Sequence, residues 1–351
     1  MMRISLTNSR HTFSATPDQS VLDAALAAGL NLPHSCKTGN CNLCRARLIG
    51  GRIRYPHGPP LGLSEQEAAE GTILICQARA ESDLELEPIV AAPAGEVRIR
   101  RLPCRIEHAQ ALSHDVMALY LRLPIIETFR FEPGQYIDIM LPGGRRRSFS
   151  IASPPHDSKL LELHVRRVAG GEFTERLFSE PMRDALLNIE GPLGQFVYRP
   201  ASAAQPAAPM LLIGGGTGLA PLMSILRHVI EIGIDREIAL YWGVRGERDL
   251  YAHAALERLA ASARRFRYVP VLSEPQLGWK GRAGWVHEAV LQDLGAPGGT
   301  DIYASGPPAM IGAVRTEFAA RGVDAARLLF DSFDYAPDAL ERQRTSAATN
   351  S

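Results

Sequence analysis

Cys36, Cys41 and Cys44 fall in a C-x4-C-x2-C run, and a fourth cysteine, Cys76, follows at a distance. Four thiolates, three of them on one tight loop, give the ligand count and spacing of a [2Fe–2S] cluster. A chain with such a centre is an electron carrier first. Two other uses of cysteine compete. Structural zinc also accepts four thiolates, but its sites usually come as two short C-x2-C pairs, and only one such pair is present. Disulfides are disfavoured because the chain opens Met1-Met2-Arg3-Ile4-Ser5, with no apolar signal stretch, and five cysteines leave one unpaired. The fifth, Cys104, reads as an ordinary buried thiol.

A glycine run carries the second chemistry. Leu211-Leu212-Ile213 reads as a buried strand, and Gly214-Gly215-Gly216-Thr217-Gly218 turns it into a helix running on through Ile225, Leu226 and Val229. Glycines at the carboxyl end of a strand let a dinucleotide pyrophosphate lie against the helix N-terminus, which nominates Gly215, Gly216 and Thr217. Alone, the run is equally able to hold another phosphate or nothing, because it lacks the G-x-G-x-x-G form. Three later apolar runs end in Val244-Arg245, Leu272-Ser273 and Ala304-Ser305-Gly306-Pro307. Parallel strands end in such residues where they meet a ligand.

A third segment, Arg145-Arg146-Arg147-Ser148-Phe149-Ser150, follows the strand-like Gln135–Leu141. Strand alternation sets Arg147 and Phe149 on one face and Ser148 and Ser150 on the other. Downstream, Leu163-His164-Val165-Arg166-Arg167-Val168-Ala169-Gly170-Gly171-Glu172-Phe173-Thr174 runs from a strand into a helix, where two glycines let backbone approach a pyrophosphate. An arginine run is usually a solvated face and a Gly-Gly pair usually a turn, so neither is specific alone.

The elements that must position these residues suit several domains. At 351 residues, 46% hydrophobic and 22% charged, the chain can build ordinary folded cores. Acidic and basic residues balance at 38 each, which argues against a nucleic-acid surface. No apolar run approaches a bilayer span, so no transmembrane segment and a cytoplasmic location are expected. Ala/Pro-rich stretches at 88–95 and 200–209 read as junctions, and the polar tail from Ala336 as frayed. Near the N-terminus, strands at Arg3–Leu6 and Thr12–Ser14 precede a helix capped by Ser20 and ended by Gly29.

The order and spacing of these motifs, with Gly191-Pro192-Leu193-Gly194-Gln195-Phe196 after the flavin-type segment, resemble the ferredoxin–NAD(P) reductase superfamily. Within it, the chain is similar to three-module [2Fe–2S]/FAD/NADH reductase components of bacterial oxygenases. Leu102-Pro103-Cys104-Arg105 and Asp331-Ser332-Phe333-Asp334 agree with the CDP-6-deoxy-3,4-glucoseen reductase-like flavoproteins. The resemblance implies a multidomain α+β and α/β chain. It has a plant-type β-grasp [2Fe–2S] ferredoxin at 1–93, an antiparallel six-stranded flavin-binding β-barrel at 98–203, a parallel-sheet α/β nucleotide-binding domain at 208–338 and a flexible tail at 339–351.

By the same resemblance, Arg147 faces flavin phosphate, Phe149 packs on the flavin, and Ser150 lies near its reactive N5. Ser148, His164, Val165, Gly170, Gly171, Phe173 and Thr174 complete the FAD contacts. Ser305 stands where the family usually has a cysteine beside the nicotinamide, followed by Gly306 and Pro307. Ser150 and Ser305 are thus the residues expected at the reacting atoms. Phe333 matches the family's terminal aromatic beside the flavin, with a plain core aromatic as the alternative. Other departures are Phe149 for tyrosine, Asn42 for glycine and Leu43 for a hydroxyl residue.

The expected activity is hydride transfer from NADH to FAD, then single-electron transfer to the cluster and on to a terminal oxygenase or other electron-accepting protein. Arg245 and Arg248 are able to meet a 2′-phosphate, so NADPH stays open beside NADH. Three rivals remain: a reductase for a deoxysugar dehydratase, a non-enzymatic flavin and iron–sulfur redox sensor, and a zinc-bearing scaffold.

Overall fold

Ile4 and Leu6 alternate with Arg3 and Ser5, so β1 (Met2–Leu6) buries one face and begins a half-buried sheet. A computed structural model describes residues 1–7, 11–30, 32–34, 37–39, 43–60, 62–88, 99–124, 129–157, 159–201 and 208–333. Cys36, Cys41, Asn40, Asn42, most of both junctions and the tail lie outside these residues. One unit is built on Met1–Ile99, joined by Leu193–Phe196 and Phe330–Ser332. The other is built on Arg100–Pro192 and Val197–Leu329, with Phe333.

In the first unit, β1 is followed by β2 (Thr12–Ala15), α1 (Val21–Ala27), β3 (Arg45–Gly50), β4 (Ile53–Arg54), α2 (Glu65–Ala69), β5 (Thr72–Leu74), β6 (Arg79–Ala80) and β7 (Leu84–Pro88). Strand order β2-β1-β7-β3-β5, with β1 and β7 parallel and the other pairs antiparallel, is the mixed sheet of the β-grasp ferredoxin. Ser20 caps α1 as its sequence suggests, accepting from the Asp23 amide at 3.0 Å. Helix α1 buries Val21, Leu22, Ala24, Ala25 and Leu26.

The second unit holds most of two sheets, the last residue of one strand, Leu193, and the last three of another, Phe330–Ser332, falling in the first unit. The first sheet runs β8 (Arg100–Ala111), β9 (Val116–Arg122), β10 (Tyr136–Met140), β11 (Arg146–Ser150), β12 (Leu161–Arg166), α3 (Glu172–Ser179) and β13 (Leu186–Leu193). Its six strands follow the order β11-β10-β13-β8-β9-β12, and an Ile151–Leu163 bridge joins the two ends into a barrel. Ile106, Leu119, Leu121, Ile137, Ile139, Leu161, Leu163 and Val165 fill the interior, and Phe173 and Leu177 of α3 join that core.

The other sheet comprises β14 (Met210–Gly215), α4 (Leu219–Glu231), β15 (Ile238–Val244), α5 (His253–Ser262), β16 (Phe266–Leu272), β17 (Arg282–Ala283), α6 (Val286–Leu294), β18 (Asp301–Gly306), α7 (Pro308–Ala320) and β19 (Leu328–Ser332). Its order is β17-β16-β15-β14-β18-β19, and β15, β14 and β18 pair in parallel. The strand order reverses about β14, so the carboxyl ends of β14, β15 and β18 form the crevice where such sheets bind ligands. No helix among the described residues is long and apolar enough to cross a membrane.

Candidate functional site

Cys44 and Cys76 are both buried, with Sγ atoms 3.1 Å apart and no disulfide between them. Cys76 lies two residues beyond β5, in a turn fixed by backbone bonds from Gln77 and Ala78 to Leu74. The start of α1 holds that turn. The Val21 and Leu22 amides, which have no intrahelical acceptor, donate to Ala78 and Ile75, each at 2.9 Å. Ile75 donates in turn to the Cys44 carbonyl at 3.0 Å, tying the two cysteines together.

The loop before Cys44 is pinned as well. The Gln77 side-chain amide donates to the Lys37 carbonyl at 2.7 Å, and Gly62 donates to the Gly39 carbonyl at 2.8 Å. Gly39 has φ +83°, and a Cβ there would meet Pro60 at 2.7 Å, so the loop requires glycine. Two buried thiols in contact without a disulfide, one after a constrained loop and one in a braced turn, have the donor chemistry of a thiolate-bound cluster. Cys104, by contrast, sits in the barrel core, and burial pushes its thiol up to about 12.

The flavin-type strand β11 pairs with β10 in the register Ile137–Phe149, Asp138–Ser148 and Ile139–Arg147. Phe149 and Arg147 therefore share the face of Ile137 and Ile139, while the Ser148 hydroxyl donates to the buried Asp138 carboxylate at 2.5 Å. Phe149 meets Phe173 of α3 at 5.7 Å between centroids, and Arg145 pairs with Glu172 at 2.6 Å. The strand and the start of α3 thus lie side by side.

At that helix start, Gly170 has φ +73°, and a Cβ on Gly171 would meet the Thr174 hydroxyl at 2.6 Å. The turn spends part of its polar capacity on itself: Gly170 donates to Glu175 at 2.9 Å and Gly171 to the Val168 carbonyl at 2.9 Å. The first intrahelical bond is from Glu175 to Gly171, so the Glu172, Phe173 and Thr174 amides precede the ladder and suit an anion. Val165 lies in the barrel core, so only its backbone is available to a cofactor.

At the nucleotide turn, Gly216–Gly218 form a single 3-10 turn between β14 and α4. Its packing excludes side chains: a Cβ on Gly218 would lie 2.1 Å from the Ser305 carbonyl, and one on Gly215 would lie 2.6 Å from Met310 Sδ. Gly214 is in register with Ser305 across β14 and β18. The Ser305 hydroxyl is buried without a hydrogen-bond partner. An orphaned hydroxyl beside a glycine cradle fits a polar ligand group at this point. Phe333 donates its amide to the Gly306 carbonyl at 3.1 Å, which brings it to the same strand end. Arg245 and Arg248 are exposed just beyond β15.

A polar stripe runs along β12, of which only His164 was singled out from the sequence. Leu161, Leu163 and Val165 point into the barrel, so Glu162, His164 and Arg166 point out, and each meets the nucleotide half of this unit. Glu162 accepts from Arg227 of α4 at 2.6 Å. His164 Nδ1 lies 3.1 Å from the Tyr251 hydroxyl and Nε2 lies 3.0 Å from Glu162. Arg166 pairs with Asp115 at 3.1 Å, and a Cβ on Gly216 would meet its guanidinium at 3.1 Å, so it overlies the turn. The turn is also fixed by Trp242, whose ring N–H donates to the Gly216 carbonyl at 2.9 Å. Burial pushes the Glu162 carboxyl up, but the hydrogen bond from His164 and the charge of Arg227 outweigh it and hold the group at about 2.

Comparison with known proteins fits these geometries. Residues 4–81 match the 2Fe-2S iron-sulfur cluster binding domain, 103–198 the oxidoreductase FAD-binding domain and 212–316 the oxidoreductase NAD-binding domain. The chain belongs to the ferredoxin–NAD(P) reductase superfamily. It is 35% identical over 321 residues to the CDP-6-deoxy-L-threo-D-glycero-4-hexulose-3-dehydrase reductase of Yersinia pestis, covering 92% of this chain and 95% of that protein. It is 32% identical to terephthalate 1,2-dioxygenase reductase component 2 of Comamonas sp., covering 95% and 98%. The crystal structure of the Amycolatopsis reductase GcoB is similar at a TM-score of 0.78 and 34% identity, covering 95% and 99%. This superfamily member is an oxidoreductase with [2Fe–2S], FAD and NAD-binding modules, and its oxygenase-component relatives support an electron-accepting partner.

Proposed function

We propose that this chain is an NADH-dependent reductase that passes electrons through FAD and a [2Fe–2S] cluster to a partner terminal oxygenase. The observation that carries the reading is the pairing, in one chain, of two buried thiols in direct contact without a disulfide with a barrel strand that abuts a glycine-lined nucleotide turn. FAD, when bound, supplies the conversion between a hydride pair and single electrons.

In this reading Cys36, Cys41, Cys44 and Cys76 hold the cluster. Arg147 and the first amides of α3 take the flavin phosphates, Phe149 lies against the ring system, and Ser150 stands at its reactive edge. The glycine turn with Arg166 above it takes the nucleotide diphosphate, because a guanidinium facing the positive end of α4 favours an anion between them. Ser305 then offers its unpartnered hydroxyl to the nicotinamide. The modules are taken as 1–93, 98–203 and 208–338, followed by a tail at 339–351. The site of action is taken as the cytoplasm, where reduced pyridine nucleotide is replenished.

An anaerobic titration tests the reading. NADH should bleach the flavin band and then produce a paramagnetic iron signal in frozen samples; bleaching without that signal would overturn it. Comparing kcat/KM for NADH and NADPH tests the cofactor preference, and a tenfold advantage for NADPH would reverse it. Identity of 35% to a dehydrase reductase favours a second reading, in which a deoxysugar dehydrase is the acceptor. Reconstitution with each partner class, scored by coupled NADH consumption, separates the two.

A further inference from the structure

We propose that Tyr251 and His164 form a positioning pair that sets where the nicotinamide turn lies relative to the flavin strand, without touching either cofactor themselves. The inference rests on the reading above, in which hydride passes from a nucleotide at that turn to a flavin on the barrel.

Both ring nitrogens of His164 are already committed. A carboxylate only accepts, so Nε2 carries a hydrogen toward Glu162, and in the neutral ring Nδ1 accepts from the Tyr251 hydroxyl. Using the His164 side chain as a cofactor contact would break one of these bonds, which leaves only its backbone for the flavin. Tyr251 is half-buried overall, and its hydroxyl end is the desolvated one. Its ring sits edge-on to His164 at 5.3 Å and edge-on to Trp242 at 4.9 Å.

Trp242 is fully buried and donates to the Gly216 carbonyl. A displacement of the tyrosine therefore reaches the glycine turn through a single indole, in an interior too densely packed to absorb it. The barrel end of this linkage is anchored by the Arg227–Glu162 ion pair at 2.6 Å and the Ser224–Ser153 bond at 2.8 Å. The linkage runs from β12 to the turn and ends at a backbone carbonyl. Rates of transfer between held reactants fall steeply with small misplacements.

Tyr251→Phe removes the hydroxyl and keeps the ring. The expected result is a fall of about 10-fold in kcat for NADH-driven ferricyanide reduction with less than a roughly 2-fold change in KM for NADH. The long-wavelength absorbance formed when NAD⁺ is mixed with the reduced flavoprotein should weaken in parallel. His164→Gln keeps a bond to Glu162 and breaks the same contact from the other side, so it carries the test if the tyrosine variant fails to hold flavin. The double variant should lose no more than the larger single loss.

Unchanged kcat and absorbance in these variants would overturn the proposal, as would a lower melting temperature with kcat intact, or losses that multiply in the double variant. Failure of the wild-type flavin to bleach with NADH would strike the parent reading instead.

Discussion

Ser305 holds a fully buried hydroxyl with nothing to bond, one strand away from a glycine cradle. Such a group costs about 1–3 kcal/mol in the folded state. Replacing it should separate stability from ligand binding. Ser305→Ala is expected to raise the unfolding free energy of ligand-free protein by about 1 kcal/mol while weakening NAD⁺ affinity, read by denaturant melts and by titration. A stability gain with unchanged affinity would remove Ser305 from the site. At this scale the sequence was most informative where residue type admits few uses. Spaced cysteines and a glycine run after an apolar strand have few alternatives, and Gly215 and Gly218 do occupy positions with no room for a Cβ. Arg166, Tyr251 and Trp242 were not legible, because an arginine beside another arginine and two aromatics in apolar runs look like surface and core. Their roles depend on partners far away in the chain: Gly216 lies 50 positions from Arg166, His164 lies 87 from Tyr251 and Gly216 lies 26 from Trp242.

Among elements, β12 joins two jobs through simple alternation: its inward residues fill the barrel while its outward residues grip α4 and the turn. The grip should depend on acid. Glu162 is held at about 2 against an ordinary 4.5, so the folded state gains from its ionisation. That gain is complete above about pH 4.5 and disappears as pH falls from there toward 2. Wild-type stability should therefore fall more steeply over this window than that of Glu162→Gln, with melting temperature as the measure; equal slopes would refute the linkage. Local elements such as Ser20-capped α1 could be read from neighbouring residues. Barrel closure by Ile151 and Leu163 could not, because it joins strand ends that no local pattern pairs.

Across the molecule, the thiol pair belongs to one unit, and the barrel strand and glycine turn proposed to handle hydride belong to the other. The two half-reactions should therefore be separable by substitution. Cys76→Ser is expected to remove the visible iron–sulfur absorbance and reduce electron delivery to the protein acceptor at least about 100-fold, because a thiolate ligand is lost. NADH-driven flavin bleaching should stay within about 2-fold of wild type, since the transfer geometry lies elsewhere. Joint loss of both would argue against independent halves. Fold class and module order were legible from motif order along the chain, whereas the polar seam within the second unit emerged only from the folded arrangement.

The closeness of Cys44 and Cys76 also bears on handling. Sulfur atoms 3.1 Å apart need to approach by only about 1 Å to reach bonding distance. Material stripped of iron and left in air would be expected to cross-link at this pair, with oxygen taking up the two electrons released. Metallation would then demand a thiol reductant, making repair of a damaged centre a two-stage process.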